Sequence, residues 1–108
     1  MQHVHHDLKV YGGIKLFGGT GTRELTQKIA DYLGLPVSGH EVIEFPNENL
    51  FVKLKGSVRG QDVYLIQTTS SPVHRNLMEL LITLQTLRLD SAARITAVVP
   101  YLCYGRSD

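Results

Sequence analysis

The chain has no tryptophan, a single cysteine and almost no excess of charge. Each shortage excludes something. Cys103 alone cannot close an intrachain disulfide, so nothing marks the sequence as a stapled secreted scaffold, and a reducing, cytoplasmic setting is the simple expectation. Eleven Lys and Arg stand against ten Asp and Glu, a formal net charge of +1. A nucleic-acid binder that works by bulk charge needs a basic excess, so no nucleic-acid partner is expected. A small anion held by one or two arginines stays compatible with that balance. No stretch reaches the roughly 18 apolar residues of a membrane span, so no membrane partner is expected. The opening MQHVHHDLKVYGG lacks the apolar centre of a signal peptide. Its His3, His5 and His6 read either as a metal-catching cluster or as a mobile tail over residues 1–13, and the tail is the simpler reading because ligands on a mobile segment are poorly preorganised. There is no zinc-type Cys/His spacing, and Ser70, Ser71 and Cys103 have no evident base, so no catalytic residue and no metal ligand is assigned.

What remains is ordinary globular material: 108 residues, 43% of them hydrophobic, enough for one core. Ile14 to Gly18 reads as a strand and Arg23 to Leu33 as a helix, with Leu25, Ile29, Tyr32 and Leu33 as its inner face, Thr20 or Thr22 as its cap and Gly34 as its stop. His40 to Phe45 and Leu50 to Leu54 read as a hairpin whose polar tip, Pro46 to Asn49, projects. A turn at Arg59 to Asp62 leads to Val63–Gln67, a strand buried on both faces. Ser70, Ser71 and Pro72 read as a serine cap followed by proline, starting a helix that runs to about Leu89 with a stripe of Leu77, Leu80, Leu81, Leu84 and Leu87. Ala92 to Val99 reads as another buried strand. Strands alternating with helices predict an α/β domain with a largely parallel sheet.

Ligands on such sheets sit beyond the carboxyl ends of the strands. Two loops qualify: LFGGTGT, and the segment from Pro100 to Asp108. The first is not a Walker A loop, because no Gly-Lys-Ser/Thr follows, and Glu24 stands where a dinucleotide fingerprint needs its third glycine. It is either an anion cradle at a helix start or a tight turn with glycines at positive φ. In the second, Arg106 and Asp108 form a polar pair suited to ligand or solvent. The chain stops in this loop, which predicts a module of a larger protein.

The residues SVRGQDVYLIQTT at 57–69, Asn76-Leu77-Met78-Glu79-Leu80-Leu81, and Pro100-Tyr101 with Tyr104-Gly105-Arg106-Ser107-Asp108 resemble the first domain of ribose-phosphate pyrophosphokinases, the phosphoribosyl pyrophosphate synthetases. The opening KLFGGTGTRELTQKIADYLGLP is similar to their first strand, loop and helix. The resemblance covers residues 15–108. It implies an α/β, phosphoribosyltransferase-like (Rossmann-like) three-layer domain with a projecting hairpin, residues 14–108 being the amino-terminal domain with the second domain absent. It implies transfer of the β,γ-diphosphoryl group of ATP to the 1-hydroxyl of ribose 5-phosphate, with Mg²⁺ as cofactor, phosphate and ADP as effectors, and a homo-oligomer, dimer or hexamer. Phe45 matches an aromatic that stacks on adenine, and Asn47 a residue that reads the adenine edge. Asn49 stands where the family usually has Glu, a neutral amide in place of a carboxylate. Arg106 matches an arginine on the ATP phosphates, Ser107 replaces the more usual Gln, and Asp108 matches the Asp that follows. Ser57 and Arg59 match a regulatory anion-binding pair. The catalytic histidine and ribose-phosphate loop of the family lie downstream, so the chain alone is expected to be inactive. The alternatives are a non-catalytic nucleotide-binding or regulatory partner of a full-length synthetase, and a stand-alone structural half-module.

Overall fold

The computed structural model describes residues 13–47 and 49–101. Five strands and two helices follow the order read from the sequence: β1 (Ile14–Gly18), α1 (Arg23–Leu33), β2 (His40–Glu44), β3 (Leu50–Leu54), β4 (Asp62–Ile66), α2 (Val73–Leu89) and β5 (Arg94–Val98). A single 3-10 turn, Thr20–Thr22, stands between β1 and α1.

The strands β1, β4 and β5 form one parallel sheet in that spatial order, with Leu16 opposite Tyr64 and Tyr64 opposite Thr96. Val37 makes an isolated parallel bridge to Leu16, on the edge of β1 that β4 leaves free. The chain therefore steps from β1 to one side through α1, then back across to β4 and on to β5 through α2. Right-handed crossovers in opposite directions put the two helices on opposite faces. Side-chain alternation along β1 shows both contacts. Leu16 packs with Ala30 of α1, whereas Phe17 packs with Leu80 and Leu87 of α2. The hairpin β2–β3 is antiparallel and lies on the α2 side, where Leu54 joins the Phe17 cluster.

β4 is buried on both faces, as its apolar run predicted, because it lies between β1 and β5 with a helix face on each side. β5 corrects the expectation of a second buried strand. It is the outer strand among the described residues, and Arg94, Ala97 and Val98 are exposed. An edge strand has a neighbour on one side only, so composition alone overstated its burial.

The inner face of α1 also differs from expectation. Thr26 and Ala30 are buried, Ile29 is half-buried, and Leu25, Tyr32 and Leu33 are largely exposed. Gly18 explains this: a Cβ there would stand 2.5–2.7 Å from the Thr26 side chain, so the helix rides directly against the strand. Only small side chains fit that seam, and the large ones fall to its rim. Ile29 and Leu33 there join Ile14, Leu16, Tyr64, Ile66 and Val98 around an apolar groove of about 320 Å³. In α2 the buried line is Asn76, Glu79, Leu80, Thr83 and Leu87, while Leu81 of the predicted stripe is exposed.

Thr22 stands at the cap position of α1, as expected, but without a side-chain capping bond, and α2 does not start on its expected serine cap. The Thr22 hydroxyl donates to the Ile66 carbonyl and accepts no amide of its own helix, and the residue before α2 is Pro72, with Asn76 Nδ2 donating to the Ser70 carbonyl. At Thr22 a long-range partner takes the place of local capping. The stop at Gly34 is as read: φ is 71°, and its amide turns back to the carbonyls of Ala30 and Asp31.

The foot of the sheet is closed by an ion pair. Asp62 is fully buried, and Arg94 Nε and Nη2 reach its two oxygens at 3.1 and 2.9 Å across the β4–β5 ladder. Arg94→Ala leaves that carboxylate buried without its fork, and the expected loss is about 2–3 kcal/mol, below the full cost of breaking a buried pair because the arginine is half-exposed. Arg94→Lys recovers only part of it, since an ammonium cannot bind both oxygens in one plane. Urea midpoints of the three proteins check this, and equal stability of Arg94→Ala and the parent contradicts it.

Candidate functional site

The chain reverses direction at β1, so the crevice beyond the carboxyl ends of β1 and β4 is the switch point where open α/β sheets take ligands. The glycine loop lies there, and its donors already have partners. The Gly19 amide donates to the Ile66 carbonyl at 2.8 Å. The Gly21 amide donates to Gln67 Oε1 at 3.2 Å. The Thr20 amide donates to Glu79 Oε2 at 2.8 Å, its hydroxyl donates to Glu79 Oε1, and Arg75 Nη1 donates to both Glu79 Oε1 and the Thr20 hydroxyl.

Glu79 is 1% exposed. Its carboxylate occupies the position an incoming oxyanion would take, between a turn amide, a hydroxyl and a guanidinium. Gln67, fully buried, ties the loop to α2 by donating to the carbonyl and side-chain oxygens of Asn76. The glycines serve this close fit, not a left-handed backbone. Gly19 has φ of −69°, and a Cβ on it would fall 2.0 Å from Gln67 Oε1. Of the two meanings open for the loop, a tight turn is present without positive φ, and its anion-facing donors are spent internally.

Sequence reasoning missed Arg75 and Glu79. Their spacing of four on one helix is visible, but their partner Thr20 is 55 and 59 residues away. The available signal was a carboxylate on the inner line of an otherwise leucine-rich helix. Arg75 also reaches out of the crevice to Glu44 at 3.4 Å, at the end of β2. The hairpin is thereby tied to the switch point. Glu44, Leu50, His74, Arg75 and Met78 line a cleft of about 400 Å³ between hairpin and helix.

The hairpin carries three of the expected adenine-site residues. Phe45 is 47% exposed, next to Glu44. The Phe45 amide donates to the Asn49 carbonyl at 2.8 Å, and the Asn49 amide donates to Asn47 Oδ1 at 3.3 Å, so these three residues are tied to one another. Ser57 and Arg59 lie past the other end of β3, both exposed, with the Arg59 amide donating to Ser57 Oγ at 3.2 Å. The length of β3, about 17 Å, separates them from the tip. Arg106, Ser107 and Asp108 lie outside the described residues, as do His3, His5, His6 and Cys103. Among the described residues no three His, Cys, Asp or Glu side chains gather, so these residues offer no Mg²⁺ cage. Among the described residues no helix is long and apolar enough to cross a membrane.

His40 opens β2 with its ring edge-on to Phe17, centroids 5.5 Å apart, and its buried Nε2 has no hydrogen-bond partner. Burial lowers its pKa from the ordinary 6.5; nearby Glu79 opposes this, while Arg23 and Lys55 add to it.

An open parallel sheet with a helix on each face and a hairpin set beside the switch point defines a phosphoribosyltransferase-like half. Hypoxanthine phosphoribosyltransferase of Trypanosoma cruzi superposes over 99% of the chain with a TM-score of 0.62 at 14% identity, covering 62% of that structure, a likeness of fold alone. Phosphoribosylpyrophosphate synthetase from Mycobacterium smegmatis superposes over 85% of the chain with a TM-score of 0.82 at 36% identity, covering 31% of that structure. Ribose-phosphate pyrophosphokinase of Brucella melitensis is 44% identical over 95 residues, 88% of this chain and 31% of the relative. A family model described as the N-terminal domain of ribose phosphate pyrophosphokinase matches residues 14–108, and the chain belongs to that family. It spans about a third of the length of the curated relatives it matches.

Two outcomes follow from this geometry. Glu79→Ala strands the Thr20 donors and Arg75, and about 3 kcal/mol of stability is expected to go. Added acetate should then raise the melting temperature of the variant well beyond its effect on the parent, whose cradle is filled; equal shifts in calorimetry contradict the cradle. For His40, the unfolded chain takes up a proton near pH 6.5 and the folded one does so only at lower pH, so acid favours unfolding. Stability should fall as pH drops from about 6.5 to the lowered folded value and then level off with respect to this group. His40→Phe, which keeps a ring against Phe17, should lose that portion of the pH dependence; an unchanged profile contradicts the assignment.

Proposed function

We propose that the chain works as the amino-terminal domain, residues 14–108, of a ribose-phosphate pyrophosphokinase that transfers the β,γ-diphosphoryl group of ATP to the 1-hydroxyl of ribose 5-phosphate. The observation that carries this reading is the hairpin tip: an aromatic ring left 47% exposed beside two side-chain amides, on a domain whose own switch-point crevice is filled. An exposed aromatic beside two hydrogen-bonded asparagines is explained if it covers a ligand. Phe45 stacks on adenine, Asn47 keeps its Nδ2 hydrogens for the base edge while its Oδ1 shapes the turn, and Asn49 completes the tip. Arg106, Ser107 and Asp108 serve the nucleotide phosphates, and Ser57 with Arg59 binds a regulatory anion, phosphate or ADP. Mg²⁺ comes with the nucleotide and neutralises charge developing on its phosphates. The ribose-phosphate chemistry belongs to a second domain, the whole enzyme is a cytoplasmic homo-oligomer, and the chain alone is inactive.

The nucleotide sequence after the codon for Asp108 gives the first test. An open frame encoding an acidic ribose-phosphate loop supports the reading, and an immediate stop overturns it. In the whole enzyme, Phe45→Ala should raise the KM for ATP about tenfold and leave that for ribose 5-phosphate unchanged, since one base–aromatic stack is worth about 1–3 kcal/mol. In the 108-residue chain the same change should lower stability by under about 1 kcal/mol. Unchanged ATP kinetics remove Phe45 from the adenine site.

A further inference from the structure

Among the described residues the hairpin β2–β3 shares no ladder with the parallel sheet β1–β4–β5. A two-stranded hairpin has little stability of its own, so side-chain contacts with the rest of the domain decide where it stands. Those contacts are unequal along its length. At the foot, His40 sets its ring against Phe17, and Leu54 joins the Phe17 cluster. At the other end, where Glu44 pairs with Leu50, Arg75 Nε donates to Glu44 Oε1 at 3.4 Å. Among the described residues no other hydrogen bond or ion pair joins β2 or β3 to α2. Arg75 is unlike an ordinary surface arginine. Its Nη1 donates to Glu79 Oε1 and, at 3.1 Å, to the Thr20 hydroxyl. Glu79 is 1% exposed, so the guanidinium is braced against a buried carboxylate before it meets Glu44. An exposed ion pair loses most of its worth to the entropy of holding two long side chains in one geometry. A planar guanidinium fixed from behind has already given up that freedom, and the direction of its Nε is set. From Glu44 the constraint passes along the backbone. The next residue is Phe45, whose amide is bonded to the Asn49 carbonyl, and the Asn49 amide is bonded in turn to Asn47 Oδ1.

We propose that Arg75 is a positioning residue for the nucleotide. It touches no substrate; through Glu44 it fixes where Phe45, Asn47 and Asn49 stand relative to the switch-point crevice. The inference rests on the reading of Phe45 as the ring that stacks on adenine. Side chains that bind a ligand need supporting residues that hold them to within about 0.5 Å, and the bond from Arg75 supplies such support at the end of the hairpin that carries the ring. The glycine loop thereby gains a role that its filled crevice otherwise denies it. Thr20 and Glu79 hold the guanidinium that aims the hairpin, so the loop acts on the nucleotide at a distance and not by cradling a phosphate.

Steady-state kinetics of the whole enzyme provide the test. Glu44→Gln removes the charge that Arg75 reaches and leaves the bonds among Thr20, Arg75 and Glu79 in place. It should raise the KM for ATP about threefold, the scale of one exposed ion pair, with kcat and the KM for ribose 5-phosphate unchanged. Arg75→Lys should do the same, since one ammonium cannot reproduce a guanidinium that serves Glu79 and Glu44 together. Potassium chloride at about 0.5 M screens the exposed pair, so the parent and Glu44→Gln should converge in their KM for ATP. Glu41→Gln, which removes the same charge from another exposed position on β2, should leave that KM unchanged. In the ¹⁵N-labelled 108-residue chain, Arg75→Lys should shift the amide resonances of Phe45 and Asn49, and unshifted resonances there overturn the inference. A KM for ATP raised by Phe45→Ala but not by Glu44→Gln overturns it while the adenine reading stands; an unchanged KM in Phe45→Ala overturns both. A lower kcat or an equal rise of both KM values in Glu44→Gln assigns the pair to folding alone and overturns the inference, as does an equal effect of Glu41→Gln. If Arg75→Lys fails to fold, Glu44→Gln and its salt dependence decide.

Discussion

The Glu79 carboxylate holds the domain's two halves in register. It is buried, it accepts from the amide and hydroxyl of Thr20, and it takes a hydrogen bond from Arg75. A carboxylate cannot be buried at tolerable cost unless its oxygens are saturated with donors. The turn after β1, the first residues of α2 and the end of β2 must therefore all arrive at one place. Gly18, Gly19 and Gln67 fit that requirement: the first lets α1 lie close to β1, the second lets the loop lie on Gln67, and Gln67 fastens the loop to Asn76.

The position of this carboxylate also redistributes function within the fold. Phosphoribosyltransferase-like sheets offer their switch point as a ligand crevice. Here the chain fills it with its own anion, which removes the empty oxyanion cradle and converts a binding loop into a structural joint. The exposed Phe45 ring and the two asparagines stand elsewhere, on the hairpin. Arg75 connects the two by reaching both Glu79 and Glu44. The exposed Glu44 contact is a weak tie energetically, yet it sets the residue next to Phe45 against the rigid crevice.

Packing of the two sheet faces is unequal for a related reason. On the α2 face, bulky residues of helix, strand and hairpin interdigitate around Phe17. On the other face, α1 sits tightly over β1 through small side chains and leaves Tyr64, Ile66 and Val98 along an apolar groove. A helix that approaches closely covers little width, so the same glycine that tightens the seam leaves the strip beside it bare.

Much of this was legible in the sequence. Period and punctuation placed every strand and helix to within about two residues, because hydrophobic alternation and glycine stops are local signals. The exposed hairpin ring was legible as well, from an aromatic flanking a polar tip. What the sequence could not carry was competition between near and far partners. Thr22 looked like a helix-capping side chain, but its hydroxyl found its partner across the fold, at the Ile66 carbonyl. Leu25, Tyr32 and Leu33 looked like core, but helix-to-strand distance, set by Gly18, decided otherwise. β5 looked buried because its composition is apolar, whereas burial depends on the neighbours a strand is given. Above all, GGTGT read alone permits an anion cradle; only the tertiary structure brings Glu79 from 59 residues away to fill it. Local pattern fixes which segments are helix or strand, since each residue's backbone preference acts within a few bonds. Which polar groups satisfy one another is a property of distances between segments, and those exist only once the chain has folded.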